Sequence, residues 1–123
     1  MSADARTGLA NDATSARRAR AFVASTLEDW GLTRLVDVAT LLTSELVTNA
    51  VLHARSRIDL RMRQRPGGAV RVEVIDESFR EPFRLQAPAE ATAGRGLAIL
   101  DVLAARWGVD TLDTGKAVWF ELA

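Results

Sequence analysis

The sequence predicts an α+β fold, a two-layer sandwich in which a mostly antiparallel sheet carries three helices on one face. Two stretches in the first half have apolar residues at three- and four-residue steps, which is typical of helices. Later stretches alternate apolar and polar residues around short turns, which is typical of β-hairpins. Because the helices cluster first and the strands pair as hairpins, this arrangement fits better than a doubly wound parallel fold.

Length and composition indicate one domain, spanning 1–123. A chain of 123 residues, 48% of them hydrophobic, can bury one self-sufficient core. Sixteen basic residues balance sixteen acidic ones, so the net charge gives no reason to expect a nucleic-acid or membrane surface. Cysteine is absent and His53 is the single histidine, which excludes disulfides, thiol nucleophiles and nearly every zinc site.

The chain shows no targeting signal. Residues 1–10 lack the apolar core of a signal peptide, and no run approaches the ~20 apolar residues of a membrane span. We therefore expect a cytoplasmic protein.

Three helices are predicted. The first begins after Asp12 and ends before Gly31, and its apolar stripe comprises Ala16, Ala19, Val23, Leu27 and Trp30. The second is capped by Thr33, runs to about His53 and has so few polar positions that we expect it to be largely buried. A third runs from Leu97 to about Trp107.

Two hairpins are predicted to form the sheet. In the first, Ile58, Leu60 and Met62 face inward, as do Val70, Val72 and Val74 after the turn at 66–68. In the second, strands 109–112 and 117–122 flank a turn at 113–116, with Val118, Phe120 and Leu122 inward. The outward positions of the first hairpin are charged and should meet solvent: Arg57, Arg61, Arg63, Arg71 and Glu73. Residues 1–11 are expected to be loose, because 7–11 is a poor strand.

Polar residues interrupt the predicted core at three positions. Glu45 and Asn49 lie four apart on one helical face, beside apolar neighbours. Asp76 continues the inward alternation of its strand. Burying such groups is costly without partners. One interpretation is that hydrogen bonds within the core satisfy these groups, or a turn in the case of Asp76. The other is that they bind a ligand, for example through the exocyclic amine of a purine.

The segment 77–96 contains two prolines, no clear periodicity and a length unusual for a loop in a compact domain. Long ordered loops are often functional. At its end, Gly94-Arg95-Gly96-Leu97 opens a helix, where free N–H groups and the helix dipole can receive phosphate oxygens. Glycines before a helix are also common turn chemistry, so this motif is weak by itself.

The order of these features resembles the GHKL (Bergerat-fold) ATPases over roughly 15–122. The stretch 44–53, SELVTNAVLH, is similar to their N-box in the form found in bacterial anti-sigma-factor serine kinases. The stretches 74–78 and 94–98 are similar to the first and second glycine boxes, and 106–109 with 115–120 to the closing strands.

The resemblance implies ATP and Mg²⁺ as cofactors. It assigns Glu45 as the general base, Asn49 as the magnesium ligand and Asp76 as the reader of adenine, with 77–96 as the ATP lid. The remaining nucleotide-binding positions are Ser78, Gly94, Arg95, Gly96 and Leu97. The sequence departs from the family pattern at two positions that concern affinity for the nucleotide. Ser78 stands where relatives commonly have glycine, and the hydroxyl often found near Ala117 is missing.

The leading functional hypothesis is a serine/threonine protein kinase that phosphorylates an anti-anti-sigma-type partner and sequesters a sigma factor, without contacting nucleic acid or membrane directly. The same resemblance is compatible with a homodimer. The alternative is a nucleotide-gated protein-binding module without kinase activity. A nucleic-acid binder using Arg17, Arg18 and Arg20 is disfavoured by the neutral overall charge.

Overall fold

The structure is a computed structural model that describes residues 3–54, 56–78 and 95–123, with the backbone alone for 95–98. Its elements follow in the order β1 (Asp4–Leu9), α1 (Ser15–Asp29), α2 (Val36–His53), β2 (Ile58–Arg65), β3 (Ala69–Asp76), α3 (Arg95–Leu103), β4 (Arg106–Leu112) and β5 (Gly115–Leu122). Short 3₁₀ turns at Thr33–Leu35 and Pro66–Gly68 precede α2 and join β2 to β3.

A five-stranded antiparallel sheet has the order β1-β2-β3-β5-β4. The predicted α+β sandwich with an antiparallel sheet and three helices is confirmed. The chain does not pass directly from β3 to its neighbour β5, because α3 first leads it to the edge strand β4. This order brings the end of β3 beside the beginning of β5, where Asp76 lies opposite Lys116.

The core lies between the helices and one face of the sheet. The inward strand positions have essentially no solvent exposure, as the alternation predicted: Ile58, Leu60, Met62, Val70, Val72, Val74 and Phe120. The helices contribute Val23, Leu27, Leu42 and Val47 to the same cluster. Burial of these side chains is the main source of stability, at roughly 1.5–3 kcal/mol for each large one.

Helix α2 lies in the middle of the helical layer and packs against α1, α3, β2 and β3. The segment Thr33–His53 is long and apolar enough to cross a membrane by length and composition, so the expectation that no run approaches that length was wrong. Core helices of folded domains meet the same criterion. Here the side chains of Leu42, Leu46 and Val47 are buried in the domain core.

The N-terminal segment is not loose. Asp4–Leu9 forms β1 and pairs with β2 from Asp4 opposite Arg63 to Leu9 opposite Ile58. The poor intrinsic strand propensity of this segment is overridden by its pairing with an exposed strand edge and by burial of Leu9. An ion pair between Asp4 and Arg61, with a nitrogen to oxygen distance of 2.7 Å, links the first residue of β1 to β2.

Two helix boundaries also differ from the prediction. Helix α3 begins at Arg95 and ends at Leu103, whereas Trp107 lies in β4 opposite Phe120. Apolar spacing alone could not show whether Trp107 belongs to the helix or to the strand, because Trp107 also packs against the core from the strand. Likewise Thr33 begins a 3₁₀ turn, and α2 proper starts three residues later at Val36.

The outer face of the sheet is less open than predicted. Glu73 and Glu121 point outward, yet they are only 6% and 8% exposed. Arg71 covers both, with nitrogen to oxygen distances of 3.0 Å to Glu73 and 3.3 Å to Glu121. Its guanidinium also lies 3.9 Å from the ring centre of Trp119. Paired charges therefore form a layer over the sheet instead of a fully solvated surface.

The edge strand β1 gives a testable pH dependence. Hydrogen bonding from Arg61 holds the pKa of Asp4 below its ordinary value of 3.8. This contribution is present above pH 3.8 and is lost as the pH falls through the depressed value of the folded state. We expect Asp4→Asn to lower protection of the β1 amides at neutral pH in hydrogen exchange and to reduce the loss of protection near pH 3. Asp29→Asn is the control, since this exposed residue makes no ion pair within the described residues. Equal protection in wild type and Asp4→Asn would contradict the role of this pair.

Candidate functional site

A small recess lies between α2 and the adjoining ends of β3 and β5. Its lining residues are Leu46, Asn49, Ala50, His53, Ala54, Val74, Asp76, Lys116 and Val118. The recess thus brings together Asn49 and Asp76, two residues that the sequence singled out as polar interruptions of the core. It has a volume of about 20 Å³, room for little more than one water molecule.

Asn49 presents an unused acceptor at this recess. The side chain is half-buried, and its Oδ1 atom is buried without a hydrogen-bond partner within the described residues. A buried amide oxygen without a partner costs about 1–3 kcal/mol, so native proteins seldom leave one without a reason. The atom therefore points to a ligand more than to a satisfied core pair.

Asp76 is the last residue of β3 and is 4% exposed, with its carboxylate on the helical side of the sheet as predicted. Its Oδ1 accepts a hydrogen bond of 2.8 Å from the backbone N–H of Ser78. Lys116 Nζ lies 3.1 Å from both carboxylate oxygens. The acid in this recess is therefore held in a buried ion pair.

Lys116 is the residue that the sequence analysis missed. Val118, Phe120 and Leu122 were predicted to face inward, and the same alternation, extended back by two residues, places Lys116 inward as well. Ala117, where the resemblance noted a missing hydroxyl, lines a groove on the opposite face of the sheet. The side chain that faces Asp76 on β5 is that of Lys116.

Glu45 lies on α2 one turn before Asn49 and is half-buried. It is not part of the recess lining, so the structure brings Asn49 and Asp76 together but leaves Glu45 beside them. His53, which was left out of the predicted chemistry, lines the recess one turn after Asn49. The signal for His53 was its four-residue spacing from Asn49 on the same helix.

The predicted phosphate and lid residues fall largely outside the described part of the chain. Gly94 and most of the predicted lid 77–96 belong to residues 79–94, which the structure does not describe. Arg95, Gly96 and Leu97 form the beginning of α3. This helix packs against α2, the helix that carries Glu45 and Asn49.

Gly115 allows β5 to begin close to the end of β3. A Cβ atom at this position would collide with the carbonyl oxygen of Asp76 and would lie 2.6 Å from Cα of Glu77. The backbone at Gly115 also has φ of 154°, which L side chains rarely adopt. Glycine is therefore required for the approach that places Lys116 opposite Asp76.

A larger groove of about 540 Å³ lies on the outer face of the sheet. Its walls carry arginines and acids that are paired with each other, among them Arg63 with Glu73 at 3.7 Å and Arg6 with Asp59 at 3.7 Å. Size alone would favour this groove, but its charges neutralise each other. The small recess holds Asn49 and Asp76, two of the three polar residues that the sequence singled out.

No group of three or more His, Cys, Asp or Glu side chains that could hold a metal ion occurs within residues 3–54, 56–78 and 95–123. A metal ion at the recess would therefore depend on Asn49, on water and on a ligand that brings its own oxygens. Mg²⁺ bound to nucleotide phosphates meets this condition.

Residues 9–122 match the sequence profile of the histidine kinase-like ATPase domain. The chain belongs to this family. The resemblance to the GHKL ATPases is thereby confirmed, and with it an ATP-binding role for the domain.

Two similar proteins come from Streptomyces coelicolor and Mycobacterium tuberculosis. It is 44% identical over 66 residues to the uncharacterized protein SCO4941 of Streptomyces coelicolor, a match that covers 52% of this chain and 63% of that protein. The crystal structure of the RsbU and RsbW domains of Rv1364c from Mycobacterium tuberculosis has a similar fold, with a TM-score of 0.74 at 20% identity. That likeness covers 98% of this chain and 32% of the other, so the chain spans about a third of that protein.

The close approach at Gly115 leads to a prediction. We expect Gly115→Ala to push β5 away from Asp76, to lower the free energy of unfolding by about 1–3 kcal/mol and to weaken ATP binding. Urea unfolding and calorimetric titration measure the two effects. Gly8→Ala is the matched control, since its Cβ would meet only the flexible guanidinium of Arg57. Wild-type stability and affinity in Gly115→Ala would refute the requirement.

Proposed function

We propose that this chain is an ATP-dependent serine/threonine protein kinase that phosphorylates a regulatory protein of the anti-anti-sigma type and sequesters a sigma factor in the cytoplasm. Membership of the histidine kinase-like ATPase family supports nucleotide binding. The observation that carries the proposal is the Oδ1 atom of Asn49, which has no hydrogen-bond partner within the described residues and lies at the same recess as the carboxylate of Asp76.

The purine base would enter the recess and donate its exocyclic amine to Asp76. Leu46, Val74 and Val118 supply apolar surface for the ring faces. A purine needs far more than the present 20 Å³, so the base must displace Lys116 from between the lining residues. Ser78 would keep the carboxylate oriented through its backbone N–H bond of 2.8 Å.

Asn49 would hold Mg²⁺ through Oδ1. The residue fits this ion, because Mg²⁺ prefers hard oxygen ligands and is commonly held by one or two protein oxygens together with phosphates and water. When bound, Mg²⁺ neutralises charge on the nucleotide phosphates. The unpartnered state of Oδ1 within the described residues gives this role a structural basis.

Glu45 would act as the general base toward a serine or threonine hydroxyl of the partner. One helical turn is a rise of about 5.4 Å, so Glu45 lies one turn from the proposed metal ligand and near the expected terminal phosphate. A carboxylate orients an attacking hydroxyl and accepts its proton in the transfer step. The residue is half-buried and lies beside the recess.

The phosphates would lie against the beginning of α3. Free backbone N–H groups and the helix dipole favour anions at a helix N-terminus, which assigns this role to Gly94, Arg95, Gly96 and Leu97. The segment 77–96 would act as the lid that closes over the nucleotide. The packing of α3 against α2 supports a single site, because it brings the two proposed groups of ligands to neighbouring helices.

The partner surface is proposed to include the exposed side of α2. Leu41 and Leu52 are 44% and 58% exposed, and their spacing places them on the helical side that also carries Glu45. Apolar side chains on an exposed helical side can contact a partner protein next to the catalytic carboxylate. We include in this proposal that the chain exchanges one regulatory partner for another, and that any homodimer forms as part of the same regulation.

A second candidate is a nucleotide-gated binding module without phosphoryl transfer. The ion pair between Lys116 and Asp76 favours it, because a base that enters the recess would have to move the Lys116 ammonium from its present position. Binding would then be coupled to a change of shape even in the absence of chemistry. The Glu45 variant below separates the two candidates.

The adenine assignment is tested by calorimetric titration of ATP with Mg²⁺. We expect Asp76→Asn to weaken binding roughly ten- to a hundredfold, because a charge-assisted hydrogen bond to the base amine is lost. Asp59→Asn is the matched control, since Asp59 forms ion pairs on the outer face of the sheet. Equal heats from wild type and Asp76→Asn would remove the assignment.

The kinase assignment is tested with labelled ATP, Mg²⁺ and a candidate anti-anti-sigma protein. We expect Glu45→Gln to abolish phosphoprotein formation, by a factor of at least 10², while nucleotide affinity stays within about twofold. The control is Glu28→Gln on the exposed side of α1. A partner response that is unchanged in Glu45→Gln would favour the gated module over the kinase.

A further inference from the structure

The carboxylate at the base subsite is paired with a lysine. Lys116 Nζ lies 3.1 Å from both oxygens of Asp76, and the two side chains are 12% and 2% exposed. The strand register sets this pairing, because the two residues lie directly opposite each other on β3 and β5. A strong donor therefore stands beside a strong acceptor at the bottom of the recess.

We propose that Lys116 contacts the base and determines specificity, so that the subsite accepts guanine nucleotides about as well as adenine nucleotides. This inference rests on the proposed nucleotide site. Lys116 supplies a donor for the 6-oxo group of guanine, and Asp76 supplies acceptors for the ring N1–H and the 2-amino group. With adenine, Asp76 accepts from the 6-amino group and Lys116 donates to N1.

The pairing changes the energetics of base selection. A lone carboxylate would face the O6 atom of guanine with repulsion and would leave that oxygen without a donor, which costs roughly tenfold or more in affinity. An ammonium at the same place reverses this effect, because hydrogen bonds between charged groups and neutral acceptors are among the stronger ones. One side chain thus removes the main reason for rejecting a 6-oxopurine.

The surroundings allow this contact. Among the described lining residues, Asp76 is the sole carboxylate, and His53 is the other titratable group beside the pair. Ala50 and Ala54 line the same recess and leave space for an exocyclic group. The four-carbon stem of a lysine is flexible, so the ammonium can move aside for a base and keep one hydrogen bond to Asp76.

The test is calorimetric titration of the full chain with ATP, GTP and ITP, each with Mg²⁺. We expect the dissociation constant of GTP to lie within about tenfold of that of ATP. ITP keeps O6 and N1–H but lacks the 2-amino group, so its binding isolates the contact between Lys116 and O6. We expect ITP to bind within about tenfold of GTP.

Variants then assign the effect to Lys116. We expect Lys116→Met to raise the ratio of the GTP to the ATP dissociation constant by roughly tenfold or more, and Lys116→Arg to preserve it. Arg65→Met is the matched control, since it removes a partly exposed cation that pairs with Glu121 on the opposite face. Circular dichroism verifies folding of each variant, and the wild-type comparison of ATP, GTP and ITP decides the proposal even where a variant does not fold.

The outcomes separate the inference from the function on which it rests. If wild type binds ATP but binds GTP and ITP more than about a hundredfold more weakly, the inference is overturned and the nucleotide site stands. If Lys116→Met changes the affinities for ATP and GTP by the same factor, Lys116 only occupies the recess and has no role in base selection. If no purine triphosphate binds, the proposed function itself is overturned.

Discussion

The buried ion pair between Asp76 and Lys116 is the interaction on which the rest of the site depends. A lone carboxylate in this position would be costly to bury, and the lysine across the ladder compensates it. The pair requires the close approach that Gly115 permits, and it fixes where β5 begins. Helix α2 then lies over this point and brings Asn49 to the same recess.

Charged side chains are arranged differently on the two faces of the sheet. On the outer face, Arg71 and its neighbours pair with Glu73 and Glu121 in a continuous layer, so the large groove there carries charges that already have partners. On the inner face, the ion pair of Asp76 with Lys116 and the amide of Asn49 lie beside apolar core residues. An unpartnered acceptor in such surroundings has a much larger effect than an exposed one, which is why the smaller cavity is the better candidate site.

Much of this arrangement could be predicted from the sequence, because it follows from the two-residue alternation of strands and the three- to four-residue spacing of helices. The alternation of the hairpins gave the inward side chains and the position of Asp76, and helical spacing gave the neighbouring positions of Glu45 and Asn49. The strand β1 was missed because an edge strand of poor propensity owes its existence to pairing across the chain. Trp107 was assigned to a helix because apolar spacing does not distinguish a short helix from the strand that follows it.

Lys116 was missed for a different reason. It was assigned to the predicted turn 113–116, whereas β5 begins at Gly115, so that alternation along the strand turns Lys116 toward Asp76. The consequence reaches beyond this residue. In the proposed nucleotide site, this lysine pairs with Asp76 and also lies where the base would bind, so nucleotide binding would exchange hydrogen bonds within the ion pair for contacts with the base. Under this proposal, the stability of the free domain and the choice of the base would be coupled through Lys116, and a change of this side chain would alter both.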